Sequence, residues 1–592
     1  MPKFLREHGL FLLILIISVP IKLATAQNMP WDIDIVPVVS RNVEYLIPPV
    51  GTLSSVAAYN LPMLQWLHLP AQWLTGDVWW TIFLSMLTFN LLGTSALYGL
   101  GLSMFNKRVA LVATVLFTFS EVSVSSSYTA WAQLLLPSFF AMLMLSLWLW
   151  IKHEEGFYLA LAGVIATAAF MTHFTAVLLY PAMLVIAILA GAKWQWRWLM
   201  IGAGVVMLMF APYMLVQIDR DFIDLKAFLS QEVLVDDAIF AEYETYKPGY
   251  TPPVESLPII EESPNPEPTV IVATAIPITA IPATDAPIPA TAITEAVTTP
   301  PVQNQVRPRW LRAVDYALEA PSWYWRAMTL AFTHGHRGID QATPALSSLV
   351  DTFFLLPVLM FCVSVFVALW QFGPELSQHK NIRQTFRETE AGRLLLLVIF
   401  LSVMVVLMIL TRTIDNSSYW TGNISIQFLI ASYAVTLLPN TRVTIIGIAL
   451  GLFVYMGIQN TERSLRLLQH DNDSFSSYNV SIYRHVESAV DYIADDWDGD
   501  DTLTVSYDIL QDVSNLWWVG AWNSIDPFYT MGMNYDFLLS YHHGLENTNT
   551  DPIGTVDNAD YIVVYTPSLD NYNLDDYTLA QFGSIVVLKP NE

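Results

Sequence analysis

From Leu394 to Thr411 the chain runs without one charged side chain. Ten other stretches read almost the same way, with at most one charge each: 9–27, 78–104, 109–127, 132–151, 157–172, 174–191, 198–216, 349–372, 424–438 and 443–458. A bilayer core of about 30 Å needs about 20 apolar residues in helical form. Only helices or closed barrels satisfy every backbone amide inside lipid. The runs therefore predict a mainly α, polytopic membrane protein with about eleven transmembrane helices. The low share of charged residues, 13% of 592, is concentrated outside these runs.

Basic residues in short connections set the expected orientation. Lys3 and Arg6 precede the first run, and Lys107 and Arg108 follow the second. Lys152 follows the fourth, Lys193 and Arg197 the sixth, Lys380, Arg383, Arg387 and Arg393 the eighth, and Arg442 the tenth. All fall on one side if the N-terminus is cytoplasmic, and an odd number of spans then exports the C-terminal region. The expected localisation is an inner (plasma) membrane, multi-pass. Ala24-Thr25-Ala26 after the first apolar run also fits a cleavable signal peptide; residues 28–77 are exported in either case.

The expected organisation is a transmembrane core over 1–216 with an exported acidic loop at 28–77. An exported insert spans 217–348, further transmembrane helices span 349–458, and an exported acidic α/β domain spans 459–592. Within the insert, residues 248–308 carry 14 prolines among Thr, Ala, Ile and Glu, a composition that favours an extended spacer over a packed element. The last 134 residues hold 22 Asp/Glu against 4 Lys/Arg, most of the net charge of −25. Such acidity argues against nucleic acid as a partner. Here 480–497 reads as an amphipathic helix, and Thr502–Tyr507, Tyr561–Tyr565 and Ser584–Leu588 as strands. The acidic run from Asp495 to Asp501 lacks the spacing of a calcium loop and reads as a solvated helix exit. Cys362 excludes an intrachain disulfide, being the only cysteine, and reads as a small buried hydrophobe.

The residues that could carry chemistry sit at the exported ends. Asp32 and Asp34 follow the first span and could act as a general base or as cation ligands; a helix cap or solvated turn is the plainer role. Tyr59, Asn60, Leu61 and Pro62 follow, then Trp66, His68, Trp73, Trp79 and Trp80, which suit an interfacial belt or stacking on sugar faces. Tyr128, Trp131 and Gln133 lie between spans three and four, and His173 between five and six. Arg337 and Arg412 are basic residues on the side that is otherwise poor in them, able to pair with a phosphate. Tyr419 enters a late span. His334 and His336 lack a convergent third ligand. The sequence holds no phosphate loop, dinucleotide fingerprint or nucleophile elbow.

Taken in order, these features resemble the GT-C glycosyltransferases, and particularly the bacterial members similar to protein O-mannosyltransferases and lipid A aminoarabinose transferases. The resemblance covers about 1–216 and 310–458. It rests on a first span ending in Lys22, the loop with Asp32 and Asp34, the Tyr59–Pro62 segment, the Tyr128–Gln133 turn, the turn around His173, and the Tyr419–Gln427 entry. It departs from many members where Ile35, not Glu, follows Asp34, and where Asn60-Leu61-Pro62-Met63 stands for a Pro-Pro-Leu-Tyr segment. The resemblance implies transfer of a sugar from a polyprenyl-phosphate donor to a lipid, glycan or protein acceptor on the exported face. In that scheme Asp32 or Asp34 is the catalytic base, and Arg337 or Arg412 holds the phosphate. Tyr59, Asn60, Tyr128, Trp131, Gln133, His173 and Tyr419 bind substrate. No cofactor is implied beyond a divalent cation that some members use, so the metal question stays open. The competing readings are a lipid-linked polymer ligase or flippase, and a catalytically inactive scaffold of the same fold.

Overall fold

The computed structural model describes residues 3–26, 38–39, 42, 45–52, 60–222, 224, 226, 344–379, 381–411, 422–454, 483–499, 502–508, 535, 538–548, 559–565, 569, 572–583 and 585–591. The Pro/Thr-rich spacer, the cluster His334–Arg337 and the acidic pair Asp32/Asp34 lie outside these residues.

Helices dominate. In chain order they are α1 (Lys3–Ala26), α2 (Met63–Thr75), α3 (Val78–Met104), α4 (Lys107–Thr118), the single turn α5 (Glu121–Ser125), α6 (Ala132–His153) and α7 (Gly156–Thr172). A 3-10 turn (Phe174–Leu178) leads into α8 (Leu179–Ala190) and then α9 (Trp196–Asp219). After the insert come α10 (Pro344–His379), α11 (Ile382–Glu388), α12 (Glu390–Leu410), α13 (Ile424–Tyr433) and α14 (Arg442–Val454). Among the described residues six helices are long and apolar enough to cross a membrane: α1, α3, α6, α9 and the apolar parts of α10 and α12. Four shorter apolar helices cover 156–172, 174–190, 424–437 and 442–454. Every predicted run thus contains a helix, and the chain is an integral membrane protein; six, not eleven, meet the length of a full span.

One predicted span is broken. The run 109–127 ends as a helix at Thr118 and turns through residues 119–131. Its serines are the cause. Ser120 Oγ donates to the Phe117 carbonyl (2.7 Å) and accepts from the Ser123 amide (3.2 Å), and Ser127 Oγ donates to the Val124 carbonyl (2.5 Å). Hydroxyls that bond their own backbone offer it an alternative to the helical ladder.

Small residues let the helices approach. A Cβ on Gly93 of α3 would stand 2.3–2.5 Å from Ser138 of α6, and one on Gly101 would stand 2.8 Å from the Cα of Ala110 in α4. Such close crossings are how helices associate where lipid removes the hydrophobic drive. Helix α13 is the centre of the bundle: all of Ile424–Tyr433 is buried, against α10, α4, α6 and α12. Ser425 Oγ donates to the Pro137 carbonyl of α6 at 2.9 Å. By contrast α9 is largely bare, with Met207, Leu208 and Leu215 exposed as lipid-facing side chains are. Cys362 is also exposed, on the outer surface of α10, which corrects its reading as a buried residue; lipid, not protein, is its apolar surrounding.

Connections that carry the basic residues gather at one end. Arg393, at the start of α12, donates to the carbonyls of Met104 (2.8 Å), Glu388 (3.0 Å) and Arg387 (3.1 Å). Glu154, after α6, pairs with Lys193 (2.7 Å) and Arg387 (2.9 Å).

The C-terminal region is a small α/β unit. Helix α15 (Tyr483–Asp496) packs on strands β5 (Tyr577–Phe582) and β6 (Ile585–Pro590). Its apolar face is Val486, Ala489, Val490 and Ile493, all buried. The four-stranded sheet runs β2 (Val505–Asp508), β4 (Tyr561–Tyr565), β6, β5; β2 and β4 are parallel and the other pairs antiparallel. Two short strands, β1 (Thr502–Leu503) and β3 (Glu546–Asn547), pair separately. The predicted helix and three strands are present; β5 was not legible, because its side chains are exposed or half-exposed, with none buried. Asp496 in the acidic helix exit is not merely solvated: it accepts from Lys589 Nζ and Tyr561 Oη, both at 2.8 Å, and Lys589 holds its carboxyl below the usual range.

Candidate functional site

The end of the bundle away from the basic loops holds a cluster of buried polar groups. Lys22, four residues before the end of α1, is fully buried. Its ammonium donates to Asn90 Oδ1 of α3 (2.6 Å) and to the carbonyl and hydroxyl of Ser123 (both 3.0 Å). Asn90 Nδ2 in turn donates to the Ser123 carbonyl (3.1 Å) and to Ser126 Oγ (2.8 Å). The broken third span is what makes this possible, since its turn presents carbonyls and hydroxyls that a continuous helix would keep. A buried ammonium persists inside a membrane bundle only when its donors are met, and such a group marks function more often than architecture.

The same turn continues into the predicted site. Ser125, Ser126, Ser127, Tyr128 and Thr129 are buried, and Trp131 caps the start of α6 two residues before Gln133. His173 closes α7. Its Nδ1 accepts from the Thr175 amide (3.4 Å) and lies 2.7 Å from Thr175 Oγ1, so the proton of the neutral ring sits on Nε2. Burial pushes its pKa down to about 4. Lys22, Tyr128, Trp131, Gln133 and His173 each engage in further interactions.

Asn60 has a structural task. Its amide donates to the Thr52 carbonyl (2.9 Å), its carbonyl accepts from Gly51 N (2.7 Å), and its side chain reaches Thr52 Oγ1 at 3.4 Å. These bonds clasp the loop between residues 51 and 60, and Gly51 is needed because a Cβ there would meet the Leu61 carbonyl at 2.6 Å. Asp32, Asp34, Tyr59, Arg337, Arg412 and Tyr419 lie outside the described residues. Among the described residues no three His, Cys, Asp or Glu side chains converge.

Helix α2 stands over this end. It packs on α3 and α7, and Trp79 Nε1 at the start of α3 donates to the last carbonyl of α1, Ala26, at 3.1 Å. Tyr541 Oη of the C-terminal region donates to the Gly76 carbonyl between α2 and α3 at 3.1 Å, so that region meets the bundle at the polar end. The neighbouring His542 is held below its ordinary pKa by burial, although Asp77 opposes the shift.

Sequence reasoning named Lys22 only as a basic residue ending a span, and did not name Asn90, Ser123 or Ser126. A lysine and an asparagine at membrane depth, with a serine run, were the available signal.

The segment from Asn60 through the serine turn to His173 is also the segment with relatives. Residues 59–215 match the family model described as dolichyl-phosphate-mannose-protein mannosyltransferase. That match bears out the resemblance to the GT-C membrane glycosyltransferases. Among solved structures the chain is similar to ArnT from Cupriavidus metallidurans bound to undecaprenyl phosphate: 10% identity over 98% of both chains, with a TM-score of 0.48. It is also similar to the Archaeoglobus fulgidus oligosaccharyltransferase tethered with an acceptor peptide: 10% identity over 95% of this chain and 70% of that one, with a TM-score of 0.41. No curated protein matches the sequence.

Proposed function

We propose that this chain is a membrane glycosyltransferase that takes a sugar from a polyprenyl-phosphate donor and gives it to a hydroxyl-bearing acceptor at the polar end of the bundle. The observation that carries this reading is that the mannosyltransferase family match, residues 59–215, folds around the buried Lys22–Asn90–Ser123 node. A lipid-linked donor arrives through the bilayer, so its phosphate must meet protein where spans end. Lys22 places a buried positive charge at that end, which suits a phosphate whose charge grows as it leaves.

In the proposed reaction Asp32 or Asp34 accepts the acceptor's hydroxyl proton. The acceptor oxygen forms a bond to the anomeric carbon as the carbon–oxygen bond to phosphate breaks. The electron pair leaves with polyprenyl phosphate, which Arg337 or Arg412 receives. Direct displacement inverts the anomeric centre. The polar end faces the exported side, with the acidic domain 459–592 above it and the basic loops in the cytoplasm.

The test is release of sugar from synthetic polyprenyl-phosphate sugars by purified protein. Wild type is compared with Asp32→Asn and Asp34→Asn. Release should fall in one variant by a factor of about 10²–10⁴, the usual worth of a general base, with donor binding retained. Equal release in all three removes the carboxylate mechanism. Donor bound but never cleaved, with any acceptor, favours a flippase or an inactive scaffold.

A further inference from the structure

Helix α2 carries no charged residue, and three of its polar residues, Gln65, His68 and Gln72, recur at a spacing of three and four. That spacing puts them on one face. The face is turned inward: Gln65 and His68 have no exposure at all, and Gln72 has 7%. Val39 and Asn42 lie against it. Asn42 Nδ2 donates to the Gln65 carbonyl and Gln72 Nε2 to the Val39 carbonyl, both at 3.2 Å. His68 Nδ1 lies 2.7 Å from the Leu64 carbonyl. A carbonyl only accepts, so Nδ1 carries the proton and Nε2 of the neutral ring has a bare lone pair.

Five side-chain atoms remain without a hydrogen-bond partner: Gln65 Nε2 and Oε1, His68 Nε2, Gln72 Oε1 and Asn42 Oδ1. A buried unpaired polar atom costs about 1–3 kcal/mol, and Leu or Phe would fill the same space without that cost. Four of the five atoms are acceptors and one is an amide donor. The set suits a neutral ligand with several hydroxyls, each able to donate to an acceptor here and to accept from Gln65. A phosphate or carboxylate would find no cation on α2.

We propose that this face of α2 is a subsite for a neutral sugar ring, which enters by displacing Val39 and Asn42 from their two hydrogen bonds. It rests on the glycosyl-transfer reading above and deepens it, since α2 stands at the end where the donor's phosphate is placed. The ring belongs to the lipid-linked donor or to the acceptor, and the test separates these.

Full-length protein in detergent is titrated with farnesyl phosphate, farnesyl-phosphate mannose and farnesyl-phosphate arabinose, and with the free methyl glycosides of both sugars. Wild type is compared with Gln65→Leu and His68→Phe. Gln65→Leu removes two unpaired atoms at nearly constant volume, so without ligand its Tm should equal or exceed that of wild type. The affinity that the sugar adds over bare farnesyl phosphate should fall by about tenfold per lost hydrogen bond, while affinity for farnesyl phosphate is unchanged. A sugar increment equal in wild type and both variants overturns the subsite. So does the absence of any sugar increment from both lipids together with no binding of either glycoside. Binding of a free glycoside that Gln65→Leu weakens, with no sugar increment on lipid, keeps the subsite and assigns it to the acceptor. Failure of wild type to bind any of the three lipids defeats the donor reading alone, and the glycoside arm then decides the subsite.

Discussion

The two ends of the bundle are held by different chemistry. At one end, charges partly or fully open to solvent tie loops together: Glu154 with Lys193 and Arg387, and Arg393 on three backbone carbonyls. Lys193 there is 76% exposed. At the other end the polar groups are buried: the Lys22 ammonium among Asn90 and the serine turn, and two neutral rings, His173 on Thr175 and His68 on Leu64. Exposed pairs cost little to form and contribute little. Buried polar groups are expensive, and a fold retains them where they serve binding or catalysis. The contrast separates a stapled end from a working end.

The largest effect that could break this contrast is at Lys22. Lys22→Met takes one of two donors from Asn90 Oδ1 and from the Ser123 carbonyl, at about 1–3 kcal/mol, and removes the charge proposed to favour the departing phosphate. Sugar release should drop by about a hundredfold, beyond what the Tm change explains. If release falls only in step with the folded fraction, the node is architecture and the two ends are alike.

Next comes pH. Burial lowers the pKa of His68 to about 4 from 6.5. The unfolded chain therefore takes up a proton below pH 6.5 that the native protein refuses until about pH 4. Stability is full above pH 6.5 and falls as pH drops through that window, by about 3 kcal/mol for His68 alone. His173 acts with the same sign. His68→Gln should flatten this acid loss in thermal unfolding measured from pH 7 to pH 4. An unchanged slope would mean that α2 is not desolvated as described.

A smaller effect is expected at the stapled end. Arg393→Lys keeps the charge but loses the planar fork that reaches three carbonyls at once and its position 5.6 Å over the Trp148 ring. About 1–2 kcal/mol of stability should go, with sugar release per folded molecule unchanged. A change in release at constant folding would carry function to this end as well.

The helices were legible because charge-free runs leave no alternative, and the basic residues named the stapled end correctly as one group. The broken third span was not legible, because the apolar residues around Ser120–Ser127 keep its hydropathy high while the hydroxyls unwind it. In the site, Asn60 reads in sequence as a polar group offered to a substrate, yet its backbone closes a loop. His68 reads as one member of an aromatic belt. Only the placement of Gln65 and Gln72 beside it, on a buried face, separates it from Trp73, which is 60% exposed. Hydropathy registers composition, and neither burial nor the absence of partners is a property of composition.

The smallest effect is at Glu154, where charge and backbone make opposite demands. Lys193 and Arg387 hold its carboxyl below the usual range, which favours an acid at this position. Its backbone has φ of +55°, in the left-handed region that closes α6, which favours glycine. Glu154→Gln removes the charge and keeps the backbone cost; Glu154→Gly removes both. If the exposed pairs are as weak as water and salt make them, Glu154→Gln leaves Tm unchanged and Glu154→Gly raises it. If both variants lose stability, and the loss shrinks in high salt, the ion pairs outweigh the turn. The stapled end would then depend on its charges as heavily as the working end depends on its buried ones.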